Sequence, residues 1–187
     1  MTKRQDSSVS DLGSLFLERS RYYLVTEYRT KLRLAVEVLP PDLLWWRPNE
    51  QSNSVGNLLF HLIGNIRQWI ISGVGGAPDT RNRAAEFAVR EGPSSVTLLA
   101  ELERALADVD QVLSTLTPDT LAERRVIQGR DVTVFEAVLN VVQHFSHHVG
   151  QIILIVKLHA PGAIQFVEDA DGLARPLWQQ MVRPPIG

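Results

Sequence analysis

The feature that most constrains this chain is an apolar run from Val132 to Leu158. Within it, large apolar residues recur at steps of three and four positions, which is the spacing of one buried face of an α-helix. These residues are Val138, Leu139, Val142, Phe145, Val149, Ile152, Ile153 and Val156. The run therefore predicts a long helix that buries one side in a hydrophobic core.

Three further helices are predicted upstream by the same periodicity and by residues that start or stop helices. The first covers about residues 10–38 and ends before the proline pair at 40–41, because the residue before a proline disfavours the α conformation. The second begins after Ser54, which is a good N-cap, and continues to the glycine-rich stretch at 73–76.

The last two helices are also marked by capping residues. A third helix is predicted from Ser94 or Ser95 to about Leu116. Thr133 and Glu136 form a capping box at the start of the fourth helix, which is the apolar run described above. The segment just before this fourth helix can form a small hairpin.

These elements predict an all-α fold in which four long helices form one bundle. The bundle is expected to cover about residues 10–160 of a single domain spanning residues 1–187. Residues 1–9 are expected to form a loose leader, and residues 161–187 an irregular C-terminal tail packed over the bundle. With 44% hydrophobic residues, a chain of 187 residues is long enough to bury such a core.

Composition and charge exclude several classes of protein. The formal net charge is -2 and no long block of like charge occurs, which disfavours nucleic acids and anionic membranes as partners. Cysteine is absent, so disulfides and thiolate ligands are excluded and a metal has to be held by His, Asp or Glu. The N-terminal residues lack the apolar segment of a secretory signal, and no apolar run is long enough to span a bilayer. We therefore expect a cytoplasmic protein.

The predicted fourth helix places two histidines on one side. His144 and His148 are four residues apart, so their side chains stand one turn apart on the same face, and Gln151 continues that ridge. Two imidazoles can bind one metal ion, but a stable site needs a third ligand from elsewhere in the chain. His61, on the second helix, is the obvious donor. His147 can compete for the same metal, but we interpret it as a neighbour of the site.

A faint internal repeat supports this grouping. Two loops that contain a Pro-Asp step each lead from a long helix into a helix that carries a histidine. When these helices are aligned, His61 corresponds to His144 and Asn65 corresponds to His148. The repeat predicts a pseudo-twofold axis that brings the second and fourth helices face to face. Asn65 is then expected near the metal, where it orients a ligand rather than binding the metal strongly.

The order of these residues resembles the DinB/YfiT family. The apolar helix that carries His61 and the segment at 53–62 around it are similar to one branch of that family. In the last long helix, the matching motif is His144-x-x-x-His148-x-Gly150-Gln151. The resemblance covers nearly the whole chain.

The resemblance implies a four-helix bundle, often a homodimer, that holds a divalent metal on the three histidines, with nickel or zinc as the typical ion. The better understood relatives are thiol-dependent transferases and isomerases that use low-molecular-weight thiols such as bacillithiol or mycothiol. The branch that this chain resembles has no assigned reaction.

The chemistry of such a site can also be argued from the residues. Three neutral imidazoles leave a zinc or nickel ion with open coordination positions. Water or a thiol bound there loses its proton more easily, so the site could support hydrolysis or S-transfer to an electrophile. We expect a thiol-dependent S-transferase acting on a small electrophile. The alternatives are a metal-dependent hydrolase and a non-enzymatic, stress-associated module in which the metal ties two helices together.

No catalytic residue can be assigned from the sequence. Glu18, Glu27, Glu37 and Asp108 lie on predicted helices that can face the site, but none is an unambiguous general base. The Gly-x-Ser-x-Gly, Walker and His-Glu-x-x-His motifs are absent, so the enzyme classes that use them have no support.

The remaining polar residues have two kinds of predicted role. Gln151 and Asn65 are expected to orient ligands, and Arg67 would meet an anionic group if it points inward. The polar connection at 77–93 is expected to be a solvated face that crosses one end of the domain. Its charged residues include Arg81, Arg83, Glu86, Arg90 and Glu91.

Overall fold

Four helical segments dominate the computed structural model, which describes residues 3–182 and the side chains from residue 11 onward. The first segment consists of helix α1 (Lys3–Arg21), a π-helical stretch (Tyr22–Tyr28) and helix α2 (Arg29–Glu37). It ends just before the proline pair, as predicted.

The N-terminal leader differs from the prediction. Helix α1 already begins at Lys3, so residues 3–9 are helical rather than loose. Because this stretch contains neither glycine nor proline, no residue in it stops the helix. The first two residues of the predicted leader lie outside the described part of the chain.

The second segment, which carries His61, begins as predicted. Helix α3 (Val55–Ile66) follows Ser54, whose side chain accepts a hydrogen bond of 3.1 Å from the backbone N–H of Asn57. A π-helical stretch (Arg67–Val74) continues it to the glycines, and Gly76 has a positive φ of 81°. Helix α3 is buried on almost all sides, because it packs between neighbouring helices.

The polar connection that follows contains a short helix, α4 (Arg83–Ala88), which packs on α3. Helix α5 (Ser95–Thr115) then begins after the predicted N-cap Ser94. In the described part of the chain, no helix is both long and apolar enough to cross a membrane.

The predicted hairpin and the last long helix are both confirmed. Strands β1 (Arg124–Ile127) and β2 (Arg130–Thr133) pair antiparallel. Gln128 and Gly129 between them both have positive φ, which is the conformation of a type I′ turn. Helix α6 (Val134–His159) starts at the capping box of Thr133 and Glu136, so the histidine helix has the predicted bounds.

The C-terminal tail is more regular than predicted. Strands β3 (Val167–Ala170) and β4 (Leu173–Pro176) form a second antiparallel hairpin, followed by a 3-10 turn that buries Trp178. An Asp-Gly step connects the strands with positive φ at both residues, and that step is a hairpin signal in the sequence itself. Residues 183–187 of the tail lie outside the described part of the chain.

Helices α5 and α6 each pack against α3 and also against α2, so the four helical segments form one bundle. The buried face of α6 includes Val141, Phe145 and Val149, and these residues fix how the helix is rotated. The histidines of α6 consequently face along its contact with α3. The predicted all-α fold is confirmed, and the described residues contain the predicted hairpin and a second small strand pair in the tail.

Candidate metal centre

Three histidines meet where α3 and α6 pack together. His61 comes from α3, and His144 and His148 come from successive turns of α6. One ring nitrogen from each lies within 4.8 Å of the others. The closest pair is Nε2 of His61 and Nε2 of His144, which are 2.8 Å apart. The fold therefore brings together the three residues that the sequence pattern groups.

The three rings differ in their access to solvent. His61 is buried, whereas His144 and His148 are only half-buried. The rings of His61 and His148 are nearly perpendicular, at 88°, so the edge of one ring meets the face of the other. The buried His61 thus forms the inner side of the group, and the two half-buried rings of α6 form its outer side.

Glu86 is the most important residue of the site that the sequence pattern did not indicate. One of its carboxylate oxygens, Oε2, lies 2.8 Å from Nδ1 of His61. Arg81 binds the same carboxylate with two nitrogens, at 2.7 Å from Nε and 2.8 Å from Nη2. The side chains of Glu86 and Arg81 are only 8% and 3% exposed. The prediction that they belong to a solvated face is therefore wrong.

The physical reason is that the connection folds back onto α3 instead of extending into solvent. Nδ2 of Asn57 donates to the backbone oxygens of Glu86 and Val89, at 2.9 and 3.0 Å. Arg47 donates to the backbone oxygens of Phe87 and Val89, at 3.1 and 2.9 Å. These bonds hold the backbone that presents the Glu86 carboxylate to His61.

The other charged residues of the connection fit the prediction. Arg83, Arg90 and Glu91 are exposed. The connection is thus two-sided, because one face is solvated and the other packs an ion pair against α3.

Gly64 provides the space that this ion pair occupies. A Cβ atom at position 64 would lie 2.1 Å from Oε1 of Glu86 and 3.0 Å from Nε of Arg81. No side chain can be accommodated there unless the carboxylate moves. The glycine, one turn of α3 beyond His61, therefore permits the contact between α3 and the ion pair.

The hydrogen bonds of two histidines leave their Nε2 atoms free to bind a cation. Glu86 accepts from the Nδ1–H of His61, and Oε1 of Gln151 accepts from Nδ1–H of His148 at 2.6 Å. Arg81 Nη2 is 3.1 Å from the same Nδ1 of His61, but both are donors in this tautomer, so that contact is not a hydrogen bond. Metal-binding histidines commonly donate their second nitrogen to an oxygen in this way. The donor set thus fits a divalent metal.

The protonation states of the site also suit a metal. Burial lowers the pKa of His144 to about 3, and the charges of His148, His61 and Arg81 add to this effect. Burial also lowers the pKa of His148, although the hydrogen bond that His148 donates to Gln151 acts in the opposite direction. Neutral imidazoles are the form that binds metal ions.

The carboxylate of Glu86 remains ionised. Burial alone would raise its pKa, but the hydrogen bonds from Arg81 and His61 outweigh burial and lower the pKa. A carboxylate that is already paired with an arginine is a poor general base. Glu86 is therefore a hydrogen-bond acceptor that orients His61.

The remaining predicted site residues occupy different positions. Gln151 contacts His148 as described, whereas the buried side-chain oxygen of Asn65 has no hydrogen-bond partner among the described residues. Arg67 is exposed and lines a groove that includes Glu86 but none of the three histidines. The exposed His147 is outside the converging group.

The four acidic residues considered as bases lie elsewhere in the described chain. Glu27 pairs with Lys31, and Glu37 pairs with Arg33. Glu18 lines a cavity between α1 and α5, and Asp108 lines the groove that Arg67 also lines. None of them joins the histidine group.

A comparison with models of known protein families identifies the family of this chain. The model of a family described as "Protein of unknown function (DUF1572)" matches residues 11–167, which is most of the chain. The chain belongs to the DUF1572 family. Among curated proteins, none matches this DUF1572 chain.

Two solved structures are similar in fold to the DUF1572 chain. One is a DinB-like protein, YjoA, from Bacillus subtilis, with 20% identity and a TM-score of 0.60 over 79% of this chain and 96% of that chain. The other is a DinB-like protein from Bacillus cereus ATCC 10987, with 19% identity and a TM-score of 0.60 over 79% of this chain and 94% of that chain. The predicted resemblance to DinB-like proteins is confirmed at the level of fold.

Proposed function

We propose that this protein is a metal-dependent enzyme, and that it transfers a low-molecular-weight thiol to a small electrophile. The observation that carries the proposal is the convergence of His61, His144 and His148 without a fourth His, Cys, Asp or Glu ligand in the described part of the chain. Metal sites with three protein ligands keep a position for water or substrate, whereas structural sites are closed by a fourth ligand.

The protein groups around the ligands have separate tasks in this proposal. Glu86, held by Arg81, orients the buried ligand His61. Gln151 orients His148 on the exposed side. A divalent ion bound there supplies a Lewis acid that favours the deprotonated form of a coordinated thiol or water. The half-buried rings of α6 leave a route by which thiol and electrophile can reach the site.

Zinc and nickel are the proposed metals. Imidazole is a good ligand for zinc, copper, iron and nickel, whereas calcium and magnesium prefer oxygen ligands. The absence of cysteine from the sequence and of carboxylate ligands from the histidine group supports an all-nitrogen protein ligand set. The proposed compartment is the cytoplasm, where thiols are kept reduced.

A metal-dependent hydrolase and a non-enzymatic metal-binding module are the two alternatives. The hydrolase would use the same open position with water in place of a thiol. The module would use the metal only to tie α3 to α6, and the lack of a fourth ligand among the described residues argues against that role.

We also propose that the protein forms a homodimer through the C-terminal part of α6, beyond the histidines. Leu154 and Leu158 are exposed there, and neither belongs to the histidine group. A second copy would bury these apolar side chains. Sedimentation velocity is expected to give about twice the monomer mass of 20.9 kDa. A monomer at micromolar concentration would contradict this part of the proposal.

The central test measures metal content and thiol turnover in the same tag-free preparations. Wild-type protein is expected to contain close to one zinc or nickel per chain and to accelerate the reaction of a thiol with an electrophile such as monochlorobimane. His144→Ala is expected to lose both, because two imidazoles do not make a stable site. His147→Ala is the matched control, since that residue is exposed on the same helix.

The outcomes separate the three candidate functions. Bound metal without thiol turnover, but with hydrolysis of activated esters, would replace the transferase by the hydrolase. Bound metal without either activity, together with unfolding when the metal is removed, would leave the module as the explanation. Absence of bound metal after exposure to both ions would refute the proposal as a whole.

A further inference from the structure

A groove on the side of α3 facing α5 has the size of a small-molecule site. It has a volume of about 510 Å³, and Phe60, Ile63 and Ile71 of the α3 segment supply apolar surface. Pockets of about 300–1,000 Å³ with largely apolar walls are typical of sites for small ligands. Glu86 and Arg81 line the groove, but the three histidines do not. The groove is thus adjacent to the metal centre and separate from it.

The charges on the walls of the groove indicate what kind of ligand fits. Arg67 on the α3 segment is exposed, Glu101 on α5 is half-buried and Asp108 on α5 is exposed. None of these three side chains has a hydrogen bond or ion pair with another residue of the described chain. One wall therefore offers an unpaired cation, and the facing helix offers unpaired carboxylates.

Two other charged groups of the groove neutralise each other. Arg81 binds Glu86 with two nitrogens and donates to Gln68 with a third, at 3.0 Å. The exposed Asp79 accepts from Nε2 of Gln68 at 2.7 Å and from the backbone N–H of Arg81 at 3.0 Å, but both donors are neutral, so Asp79 adds to the negative charge of the groove. The charged side chains of the groove without any partner among the described residues are Arg67, Glu101 and Asp108.

We propose that this groove binds a zwitterionic small molecule with an apolar body, such as a short peptide. The carboxylate of the ligand pairs with Arg67, its ammonium group pairs with Glu101 or Asp108, and its apolar body covers Phe60, Ile63 and Ile71. A ligand with a single charge would leave one wall of the groove unpaired. This site is additional to the metal centre and does not depend on a metal being bound.

The experiment uses one peptide in four charge states. Leucyl-phenylalanine, its N-acetyl form, its C-terminal amide and the doubly blocked form have almost the same apolar body and differ in their charged ends. The full-length protein is titrated with each peptide as purified and again after chelation, and backbone amide shifts are followed by NMR. The free dipeptide is expected to bind most tightly, and blocking either end is expected to weaken binding about two- to fivefold.

Three variants identify the residues that recognise each end. Arg67→Gln is expected to abolish the difference between the free acid and the amide, because it removes the cation that pairs with the carboxylate. Asp108→Asn or Glu101→Gln is expected to abolish the difference between the free and acetylated amine. Asp42→Asn removes an exposed acid that does not line the groove and is expected to change nothing.

The proposal is overturned if all four peptides bind equally, if the shifts lie outside the groove, or if millimolar peptide causes no shifts. Because chelated protein is included, failure here would leave the metal-dependent function untouched. In the same way, a protein without metal or turnover could still bind the dipeptide.

Discussion

The two parts of the metal centre differ in how they are built. The three histidines lie on α3 and α6, which are long, regular helices with buried apolar faces. Glu86 comes from the short helix α4 and Arg81 from the loop before it, and this connection is held by hydrogen bonds from Asn57 and Arg47. The comparison shows that packing places the ligands, whereas a network of polar contacts places the group that orients one of them.

The largest effect is expected from a substitution that crowds the ion pair of Glu86 and Arg81 and leaves the three metal-binding histidines unchanged. In Gly64→Ala, the new Cβ would overlap Oε1 of Glu86, so the carboxylate has to shift from its position against His61. Metal affinity is expected to fall about 10- to 100-fold, as is usual when such a hydrogen-bond partner is lost. Competition with a fluorescent chelator measures this change.

Gly150→Ala is the matched control for that substitution. Position 150 lies on α6 between His148 and Gln151, but an added Cβ would meet nothing within 4 Å. Metal affinity is expected to stay unchanged, and the helix should become more stable by about 0.5–1 kcal/mol. Equal losses of metal affinity in the two variants would show that the Glu86 contact is irrelevant.

A smaller effect is expected when Glu86 keeps its shape and loses its charge. Glu86→Gln still offers an oxygen to His61, but it leaves the guanidinium of Arg81 without its anionic partner. Metal affinity is expected to fall about tenfold, and the protein should also lose stability because a buried charge is left unpaired. Isothermal titration with zinc measures the metal affinity, and unfolding by urea measures the stability. Wild-type values for both quantities would contradict the role given to Glu86.

Acid is expected to destabilise the metal-free protein through His144. Its pKa is lowered to about 3 in the folded chain from an ordinary value of 6.5, so the unfolded state binds more protons between these values. Stability from this residue is therefore present above pH 6.5 and is lost as the pH falls below it, by on the order of 1 kcal/mol at pH 5 after allowing for partial exposure. Urea unfolding in chelator at pH 7 and pH 5 measures the loss.

His144→Gln is the control for this pH dependence. The variant removes the titrating group, so its stability should change less between pH 7 and pH 5 than that of the wild-type protein. An identical pH dependence in the two proteins would assign the acid sensitivity to other groups.

The smallest effect is expected at the exposed end of the centre. Gln151→Ala removes the oxygen that accepts from His148, but water can replace it because that position faces solvent. A two- to fivefold loss of zinc affinity is expected, which is less than for Glu86→Gln. A larger loss of zinc affinity in Gln151→Ala than in Glu86→Gln would show that the exposed acceptor contributes more than the buried one.

Local signals explain why much of the fold could be predicted from the sequence. Ser54 and the pair Thr133 and Glu136 satisfy backbone groups within three residues of themselves, so their role does not depend on the rest of the chain. The four-residue spacing of His144 and His148 is likewise a property of one helix. The long-range match to His61 was expected from a faint repeat of helical elements and from the family resemblance, and His61 does lie with the other two histidines.

The polar part of the centre could not be predicted in the same way. The burial of Glu86 depends on the connection folding back onto α3. No periodic pattern in the sequence predicts that the connection takes this path. Helical spacing suggests Arg83 and Arg90 as partners of Glu86, at three and four residues, whereas its actual partner is Arg81, five residues earlier. The second hairpin is different, since its Asp171-Gly172 step is a local hairpin signal in the sequence itself.

The side chain of Asn57 constrains how the sequence of this protein can change during evolution. Its oxygen accepts from the backbone N–H of Ser54 at 3.1 Å, and its nitrogen donates to the backbone of Glu86 at 2.9 Å. A single amide thus joins the first turn of α3 to the connection 29 residues later. Insertions elsewhere in that connection can be absorbed as longer surface loops, while the register between His61 and its carboxylate is inherited unchanged.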